Sequence, residues 1–322
     1  MPYGLYNDPG FCEEDVMGTW LEGKTLAEKV KSEVGEEVAF LKKTKGAVPG
    51  LVGILVGDNP SSQVYLRSKE KACQNLGLWS QILTFPAGVS ASDLRAKMDE
   101  LNRNDLVDGI LVQLPLPPGL NPHEVISWIR PEKDVDGIHP YSLGLLLENE
   151  PGLRTCTPQG VIELLKFNQI LIAGKDVVVI GRSLIVGKPL AAMFTNENGT
   201  VTVCHSKTKA LPQVAARADI LVAAMGKAAF VGPEFVQPGA VVIDVGINSV
   251  SDRTRVDELF GQDPKRQKDL QDKGYTLVGD VDPRVIDKAG YLTPVPGGVG
   301  LLTIAMLMKN TLEAFKRRRR FA

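Results

Sequence analysis

Several side chains in the first half of the sequence could perform acid–base chemistry on a flat, polar substrate. Tyr65 and Lys69 are four residues apart in a helix-like segment, so they share one face, where a ring and an amine could hold a heterocycle and deliver a proton. Gln113 lies in an otherwise apolar run, and a buried amide needs hydrogen-bond partners. Asp134 and Asp136 lie in the acidic turn EKDVDG. The alternatives are structural: a surface pair, a core amide and a loop cap.

A glycine-containing turn in the second half has the chemistry of a phosphate site. The apolar run Val177–Ile180 predicts a buried strand, and Gly181, Arg182, Ser183 and Gly187 follow it before a helix begins. Backbone N–H groups and the positive end of a helix dipole then face one small volume. The spacing G-R-S-x-x-x-G departs from the full dinucleotide fingerprint, because Ser183 stands where a second glycine is expected. A turn without a ligand is therefore the alternative.

The residues after the next predicted strand indicate which dinucleotide would bind. Val201–Cys204 is followed by His205, Ser206, Lys207, Thr208 and Lys209. An NAD site normally has an acidic residue there to hold the ribose 2′-hydroxyl, whereas hydroxyls and cations could bind a 2′-phosphate together with Arg182. The sequence therefore predicts NADP, with an ordinary solvated loop as the alternative for either lysine alone.

A proline- and glycine-rich segment, PVPGGVG at 294–300, is the last candidate for a ligand contact. Its prolines restrict the backbone, and its glycines permit close approach of the backbone to a ligand. A low-complexity loop is the alternative.

Composition excludes several classes of protein. The chain has 322 residues, 43% of them hydrophobic and 23% charged, with a formal net charge of −1, which is typical of a globular protein and not of a nucleic-acid binder. The basic run KRRRR at 316–320 is interpreted as a solvated tail, with anion or nucleic-acid contact as the minor alternative. No apolar run has the length of a membrane span. The four cysteines are widely spaced, so no metal is predicted, and the acidic first residues do not resemble a leader. We expect a cytoplasmic protein.

Strands and helices are predicted to alternate along the chain, which is typical of parallel sheets with right-handed crossovers. Residues 1–20 are predicted to be an irregular arm, and the charged segment 249–274 a surface insertion. The predicted strands are 51–56, 79–85, 109–114, 177–180, 201–204, 220–223, 241–244 and 276–278. The predicted helices are 24–45, 90–102, 122–129, 157–168, 303–319 and one that is capped by Ser61 or Ser62 and ends near residue 76.

In order and spacing, the motifs resemble those of the bifunctional methylenetetrahydrofolate dehydrogenase/methenyltetrahydrofolate cyclohydrolase family over about residues 20–316. The motifs are YLRSK (65–69), VQLPLP (112–117), PEKDVDG (131–137), TPQG (157–160), GRSLIVGKP (181–189), CHSKT (204–208), DVGIN (244–248), GDV (279–281) and TPVPGGVG (293–300).

The resemblance implies a two-domain α/β fold with a folate cleft between the domains. It implies an N-terminal folate-binding catalytic domain, 1–159, which 297–322 completes, so that the C-terminal helix packs back on it. Residues 160–296 would form a Rossmann-type NADP-binding domain. The expected partners are a folate substrate and, through the NADP domain, a second copy in a homodimer.

The implied reactions belong to one-carbon metabolism, which includes purine biosynthesis. The family oxidises 5,10-methylenetetrahydrofolate with NADP⁺ and then hydrolyses the methenyl product to 10-formyltetrahydrofolate. Lys69 would be the general acid/base and Gln113 its hydrogen-bond partner, while Tyr65 would stack on the folate and Asp136 would hold the pterin. The remaining implied substrate contacts are Val112, Leu114, Pro296, Gly297, Gly298, Val299 and Gly300, and the implied cofactor contacts are Gly181, Arg182, Ser183, Ser206 and Ile247.

One departure from the family pattern affects the expected chemistry. Leu301-Leu302 replaces the Pro-Met pair that usually follows PGGVG, and the loss of a proline could loosen the loop that enters the last helix. A monofunctional member of the family therefore remains an alternative. A non-catalytic NADP-binding regulator or scaffold is another alternative, against which the presence of Tyr65, Lys69, Gln113 and Asp136 argues.

Overall fold

The computed structural model describes residues 18–321, in which helices and parallel strands alternate over most of the chain. The first elements are β1 (Thr19–Trp20), α1 (Lys24–Lys45), β2 (Gly50–Val56), α2 (Pro60–Asn75), β3 (Trp79–Phe85), α3 (Ala91–Arg103), β4 (Gly109–Val112), α4 (Pro122–Ser127), α5 (Pro140–Leu147) and α6 (Cys156–Phe167). They are followed by β5 (Asp176–Ile180), α7 (Gly187–Asn196), β6 (Thr200–Cys204), α8 (Leu211–Ala215), β7 (Ile220–Ala223), β8 (Val241–Asp244), β9 (Asn248–Val250), α9 (Arg253–Phe260), α10 (Pro264–Lys273), β10 (Thr276–Val278), β11 (Tyr291–Leu292) and α11 (Val299–Arg319).

The first half contains a small parallel sheet in the order β3-β2-β4. Every residue of β2 is buried, which explains why this strand is a continuous apolar run. Its alternate side chains serve two cores. Val52 and Ile54 pack with residues of α3, whereas Leu51 and Leu55 join the core that contains α1 and α11.

The second half contains a six-stranded parallel sheet in the order β1-β11-β8-β7-β5-β6. Alternate residues of its central strands face opposite layers. Val177 and Val179 pack with α6 and α7, and Val178 and Ile180 pack with residues of α8 and of the turn Pro233–Phe235. Helices on both faces of a parallel sheet confirm the predicted Rossmann-type architecture.

The C-terminal helix α11 returns to the first half, as expected. It packs against α1 and α6, and Asn310 Nδ2 donates to the carbonyl oxygens of Val135 and Arg154, at 2.8 Å each. Near its end, Arg318 forms an ion pair with the fully buried Asp108. Part of the basic tail is therefore bound to the protein, and the interpretation of 316–320 as a wholly solvated tail is wrong. No helix within 18–321 is long and apolar enough to cross a membrane.

Several sequence-based details are corrected. The N-cap of α2 is Asn59, whose side chain accepts from the Ser62 backbone N–H, and is neither Ser61 nor Ser62. Strand β10 pairs antiparallel with β9 in a separate two-stranded sheet, outside the large sheet. Residues 1–17 of the predicted arm lie outside the described residues, and Thr19–Trp20 forms a strand that pairs with β11. Helix α11 begins at Val299, four residues before the predicted start.

Candidate active site

The amine of Lys69 is held by an amide from the neighbouring sheet. Lys69 lies on α2 and is only 8% exposed. Its Nζ donates to Oε1 of Gln113 at 3.1 Å, while Gln113 Nε2 donates to the carbonyl oxygen of Leu114 at 2.9 Å. The Gln113 N–H in turn donates to the carbonyl of Ile54 in β2. Because both ends of the amide have partners, its oxygen is oriented toward the lysine.

The acidic turn after residue 130 is anchored by two buried side chains. Lys133 Nζ donates to the carbonyl oxygens of Leu101 and Asn104, at 2.8 Å each, at the end of α3, and burial lowers the pKa of Lys133 to about 8. Asp134 Oδ2 accepts from the backbone N–H of His139 at 2.8 Å and from the Ser142 hydroxyl at 2.6 Å. Asp134 is therefore the loop cap, whereas Asp136, the second aspartate of the turn, does not have this structural role.

That second aspartate, Asp136, lines the same cavity as Lys69. Burial raises the pKa of Asp136 to about 6, the positive charge of Lys69 opposes this rise, and the negative charge of Asp134 adds to it. The thiol of Cys156 lies 3.9 Å from Asp136 Oδ1, and burial raises the pKa of Cys156 well above its usual range. A carboxyl group that titrates near neutrality beside an amine is a common feature of catalytic sites.

The cavity has a volume of about 170 Å³ and lies in a crevice between the two halves of the chain. The first half contributes Lys69, Gln113 and Asp136, and the residues that follow the glycine turn contribute Ile185 and Val186. The other lining residues are Val112, Leu114, Ile138, Thr155, Cys156, Thr157 and Thr303. A single small group bound here would contact both halves.

Tyr65 and the segment 296–300 do not line this cavity, although each is close in sequence to a residue that does. Tyr65 lies one helical turn before Lys69 and is 37% exposed, and burial of its hydroxyl raises its pKa. Pro296 instead lines a second cavity, of about 280 Å³. The Gly297 carbonyl accepts from the Gly23 N–H just before α1, at 2.9 Å, and a Cβ added to Gly300 would lie 3.3 Å from Cδ1 of Ile247.

The glycine turn after β5 joins a buried strand to the start of a helix, as expected for a phosphate site. Gly181 has a φ of 138°, and a Cβ there would lie 2.2 Å from the carbonyl oxygen of Ala224, so only glycine fits. Ser183 Oγ accepts from the backbone N–H groups of Val186 and Gly187, at 3.2 and 3.4 Å, at the start of α7. The hydroxyl therefore organises the turn, and the first N–H groups of a ten-residue helix point toward it.

The hydroxyls and cations expected for a 2′-phosphate lie at the same edge of the sheet. Strands β5 and β6 are parallel neighbours, so the residues that follow them are close together. Ser206 and Arg182 are exposed there, and the 205–209 turn is held by a bond from the His205 N–H to the Thr208 hydroxyl at 2.9 Å. The turn, the helix terminus and this basic edge fit a dinucleotide with an additional phosphate.

A pair of buried carboxylates, Asp244 and Asp280, was missed in the sequence analysis, although both lie in quoted motifs. We call this pair the carboxylate brace. Asp244 accepts from the N–H groups of Gly246, Asp280 and Val281 at 2.8–2.9 Å. Burial raises the pKa of Asp244 to about 7, although these N–H donors oppose the rise. A Cβ on Gly279 would lie 1.8 Å from Asp244 Oδ2, so the approach requires glycine.

The second member of the brace binds the loop after β7. Asp280 accepts from the backbone N–H groups of Met225, Gly226 and Lys227, and from the side chain of Asn248. The available signal in the sequence was an aspartate directly after an apolar run, which identifies a polar side chain at a strand end but not its partners. Within 18–321, no group of three or more His, Cys, Asp or Glu residues is arranged to hold a metal ion.

Comparison with known proteins identifies the same two parts. Residues 21–136 match the family model of the tetrahydrofolate dehydrogenase/cyclohydrolase catalytic domain, and residues 155–319 match the NAD(P)-binding domain of the same family. The bifunctional protein FolD of Koribacter versatilis is 51% identical over 304 residues, which cover 94% of this chain and 99% of that protein. FolD of Geobacillus thermodenitrificans is 48% identical, with 91% and 96% covered.

Solved structures agree with these matches. The FolD methylenetetrahydrofolate dehydrogenase/cyclohydrolase of Campylobacter jejuni superposes with a TM-score of 0.84 at 42% identity, covering 93% of this chain and 99% of that one. The FolD enzyme of Trypanosoma brucei, complexed with NADP and an inhibitor, has a TM-score of 0.84 at 39% identity, with 94% and 99% covered. With its crevice, its glycine turn and relatives of this similarity, the chain belongs to the tetrahydrofolate dehydrogenase/cyclohydrolase family.

Proposed function

We propose that the crevice carries out both reactions of the family on one bound folate. The first reaction converts 5,10-methylenetetrahydrofolate and NADP⁺ to the 5,10-methenyl cation and NADPH. The second adds water to the methenyl carbon and yields 10-formyltetrahydrofolate and a proton. The observation that carries the proposal is the position of Lys69, Gln113 and Asp136 in a cavity whose opposite wall contains Ile185 and Val186 of the dinucleotide-binding half.

Lys69 is the proposed acid and base of the hydrolysis. The Lys69 amine takes a proton from the water that attacks the methenyl carbon, and it returns a proton to N5 of the folate when the carbon–N5 bond breaks. Gln113 Oε1, at 3.1 Å, holds the amine in place during both transfers. Because Lys69 is almost fully buried, its position is restricted and bulk water does not compete for the proton.

Asp136 is the proposed anchor of the pterin, and Tyr65 the proposed stacking partner of the folate rings. An ionised Asp136 can accept paired hydrogen bonds from the N–H groups of the pterin. Val112 and Leu114 add apolar walls on either side of Gln113. The segment Pro296–Gly300, including Gly297, Gly298 and Val299, is proposed to close the folate pocket on the side of the nicotinamide.

NADP is the proposed cofactor, and when bound it accepts the hydride from the methylene carbon. The turn that contains Gly181 and Ser183 would hold the phosphates, and Arg182 and Ser206 would hold the 2′-phosphate. Ile247, which lies beside Gly300, would contact the nicotinamide side. The protein's contribution to the oxidation is alignment of the two reactants across the crevice.

The proposed domains are residues 1–159, completed by 297–322, and residues 160–296. The packing of α11 on α1 and the ion pair between Arg318 and Asp108 support a discontinuous first domain. We further propose a homodimer through the NADP domain. Strand β6 is last in the order of the large sheet, and Val203 on it is 40% exposed, so two copies could pair along this edge. The described thiols, Cys73, Cys156 and Cys204, are unpaired and buried, which fits a cytoplasmic location.

The test is an absorbance assay with methylenetetrahydrofolate and NADP⁺. We expect the methenyl absorbance to appear and then to decay as the cation is hydrolysed. A signal that appears without enzymatic decay would indicate a monofunctional dehydrogenase, and absence of the signal with both NADP⁺ and NAD⁺ would refute the dehydrogenase assignment. A catalytic efficiency with NAD⁺ equal to that with NADP⁺ would refute the proposed role of Arg182 and Ser206.

A further inference from the structure

The helices α9 and α10 take no part in the site described so far, and the sequence of α10 is almost entirely polar. No residue of α10 is fully buried. One side chain differs from this pattern, because Arg266 points into the protein and stacks on the ring of Phe260, with its guanidinium 4.3 Å from the ring centroid. The position of its backbone is fixed by the cap of α10, where the Arg266 N–H donates to Asp263 Oδ1 at 2.8 Å.

The guanidinium of Arg266 connects three separate pieces of chain. One terminal nitrogen donates to the hydroxyl of Thr276 at 3.3 Å and to the carbonyl oxygen of Leu277, both in β10. The other terminal nitrogen donates to the carbonyl oxygen of Val295 at 2.6 Å. A planar fork that is bound on both sides and stacked on an aromatic ring has little freedom to move.

Val295 lies in the middle of the loop that joins β11 to α11. The ends of this loop are held by other bonds: the Gly298 N–H donates to the Pro294 carbonyl at 2.8 Å, and the Gly23 N–H donates to the Gly297 carbonyl at 2.9 Å. Within residues 18–321, it is the Arg266 guanidinium that donates to the Val295 carbonyl. Since prolines flank Val295 and glycines follow, the centre of the loop depends on this contact for its position.

We propose that Arg266 is a positioning residue for the dehydrogenase reaction, which it supports by fixing the 294–298 loop, the segment to which the proposed function gives the nicotinamide side of the folate pocket. The proposal rests on the proposed function, and it makes α10 a support of the dehydrogenase site although no residue of α10 lines the cavity of Lys69. Hydride transfer needs alignment across the crevice, whereas hydrolysis depends on Lys69 and Gln113 on the other wall. The dehydrogenase reaction is therefore the one that responds to Arg266.

The test compares Arg266→Ala and Arg266→Lys with the matched control Lys268→Ala, an exposed cation on the same helix. A misplacement of about 1 Å at a reacting centre costs up to about 100-fold in rate, so we expect the dehydrogenase kcat of Arg266→Ala to fall between about 10-fold and about 100-fold. The kcat of methenyl hydrolysis, measured at saturating folate, and the Kd for NADP should stay within about twofold, which is the scatter of surface substitutions. The dehydrogenase kcat of Arg266→Lys should lie between those of Arg266→Ala and the wild type, because lysine keeps the charge but lacks the planar guanidinium fork. Lys268→Ala should match the wild type.

Two outcomes would overturn the proposal. One is a dehydrogenase kcat in Arg266→Ala that is unchanged from the wild type. The other is an equal loss of both activities together with a lower melting temperature, which is the signature of a structural role alone. If Arg266→Ala does not fold, Arg266→Lys is compared with the wild type in the same assays. An equal loss of both activities in Arg266→Lys would then overturn the proposal.

Amide hydrogen exchange separates failure of this proposal from failure of the proposed function. In Arg266→Ala, the amides of Gly297 and Gly298 should exchange faster than in the wild type, while those in the middle of α11 keep their protection. This measurement needs no substrate. If the wild type lacks dehydrogenase activity but the loop amides exchange faster in Arg266→Ala, the proposed function is wrong, while the role of Arg266 in holding the loop is retained. If the exchange rates of the loop amides in Arg266→Ala equal those of the wild type, Arg266 does not hold the loop and the proposal is refuted.

Discussion

Replacement of Asp280 by asparagine is the sharpest test of the carboxylate brace. Asp280 is fully buried, and its carboxylate accepts four hydrogen bonds. Oδ2 accepts from the N–H groups of Met225 and Gly226 at 2.6 and 2.8 Å, and Oδ1 accepts from the Lys227 N–H and from Asn248 Nδ2 at 2.8 and 2.9 Å. An asparagine has a single oxygen, and its NH₂ group cannot accept. Whichever way the amide is turned, two donors lose their partner.

The magnitude follows from the cost of buried donors without partners. Each costs about 1–3 kcal/mol, so Asp280→Asn should lower the free energy of unfolding by about 2–6 kcal/mol. Part of this cost can be relieved by movement of the loop after β7. The Ala224 carbonyl in this loop lies against Gly181, and Asn248 follows Ile247, so such movement would deform the proposed cofactor side. We therefore expect the KM for NADP to rise by about 10-fold or more, since 1.4 kcal/mol already corresponds to tenfold.

Two measurements check this expectation. Urea unfolding followed by tryptophan fluorescence gives the stability, and separate assays of the two reactions give the KM for NADP and the rate of methenyl hydrolysis, which needs no cofactor. The matched control is Asp282→Asn. Asp282 caps the turn that begins at Pro283, which asparagine can also do, and it pairs with Arg284, whose side chain is 63% exposed, so this change should cost about 1 kcal/mol. Wild-type stability and KM in Asp280→Asn would refute the reasoning, as would an equal loss of both activities in folded protein.

Three further predictions concern the other charged groups. Lys69→Met should lower the methenyl hydrolysis rate by about 100-fold or more while the Kd for NADP is unchanged, and retained hydrolysis would exclude Lys69 as the acid/base. Because burial raises the pKa of Asp136 to about 6, its carboxylate becomes protonated as the pH falls through this value and loses its charge and one of its two acceptor oxygens. The affinity for a folate analogue should therefore fall on acidification, and Asp136→Asn should remove that pH dependence in a binding titration. Arg318→Ala removes the main ion-pair partner of the buried Asp108 and leaves the longer contact to Arg319, at 4.0 Å, so it should lower the free energy of unfolding by up to about 3 kcal/mol, with both activities unchanged in folded protein. An unaltered melting temperature would contradict this.

Strands whose residues are buried on both faces are among the elements that the sequence predicted well. The strands 220–223 and 241–244 match the structure residue for residue, because a parallel strand covered by helices is apolar throughout. The apolar character of a strand does not, however, predict which other strand it pairs with. Thr276–Val278 is too short to carry any periodicity, so its apolar character could not show that it pairs with β9 instead of the large sheet. The strand Thr19–Trp20 has two residues and depends on a partner more than 270 positions away.

The prediction of the site had a similar limit. Lys69, Gln113 and Asp136 were identified by residue type and motif, and the structure brings them to one cavity. The cap of α2 was assigned to the wrong residue because Asn59, Ser61 and Ser62 are all good caps, and only the backbone geometry distinguishes them. The carboxylate brace could not be found because hydrogen bonds that Asp280 accepts from residues more than 50 positions earlier leave no local pattern.

The 294–300 loop shows why a single substitution was a poor guide to the stiffness of the site. Leu301 lacks the restraint of a proline, and this suggested a looser entry to α11. The loop is nevertheless held from outside, by Arg266 at Val295 and by Gly23 at Gly297. These bonds restrict the carbonyl groups of the loop directly, whereas a proline at 301 would restrict only the φ angle of one residue in the first turn of the helix. The rigidity of the loop is therefore determined by its neighbours in space, and the effect of Leu301 has to be weighed against α10 and not against the loop sequence alone.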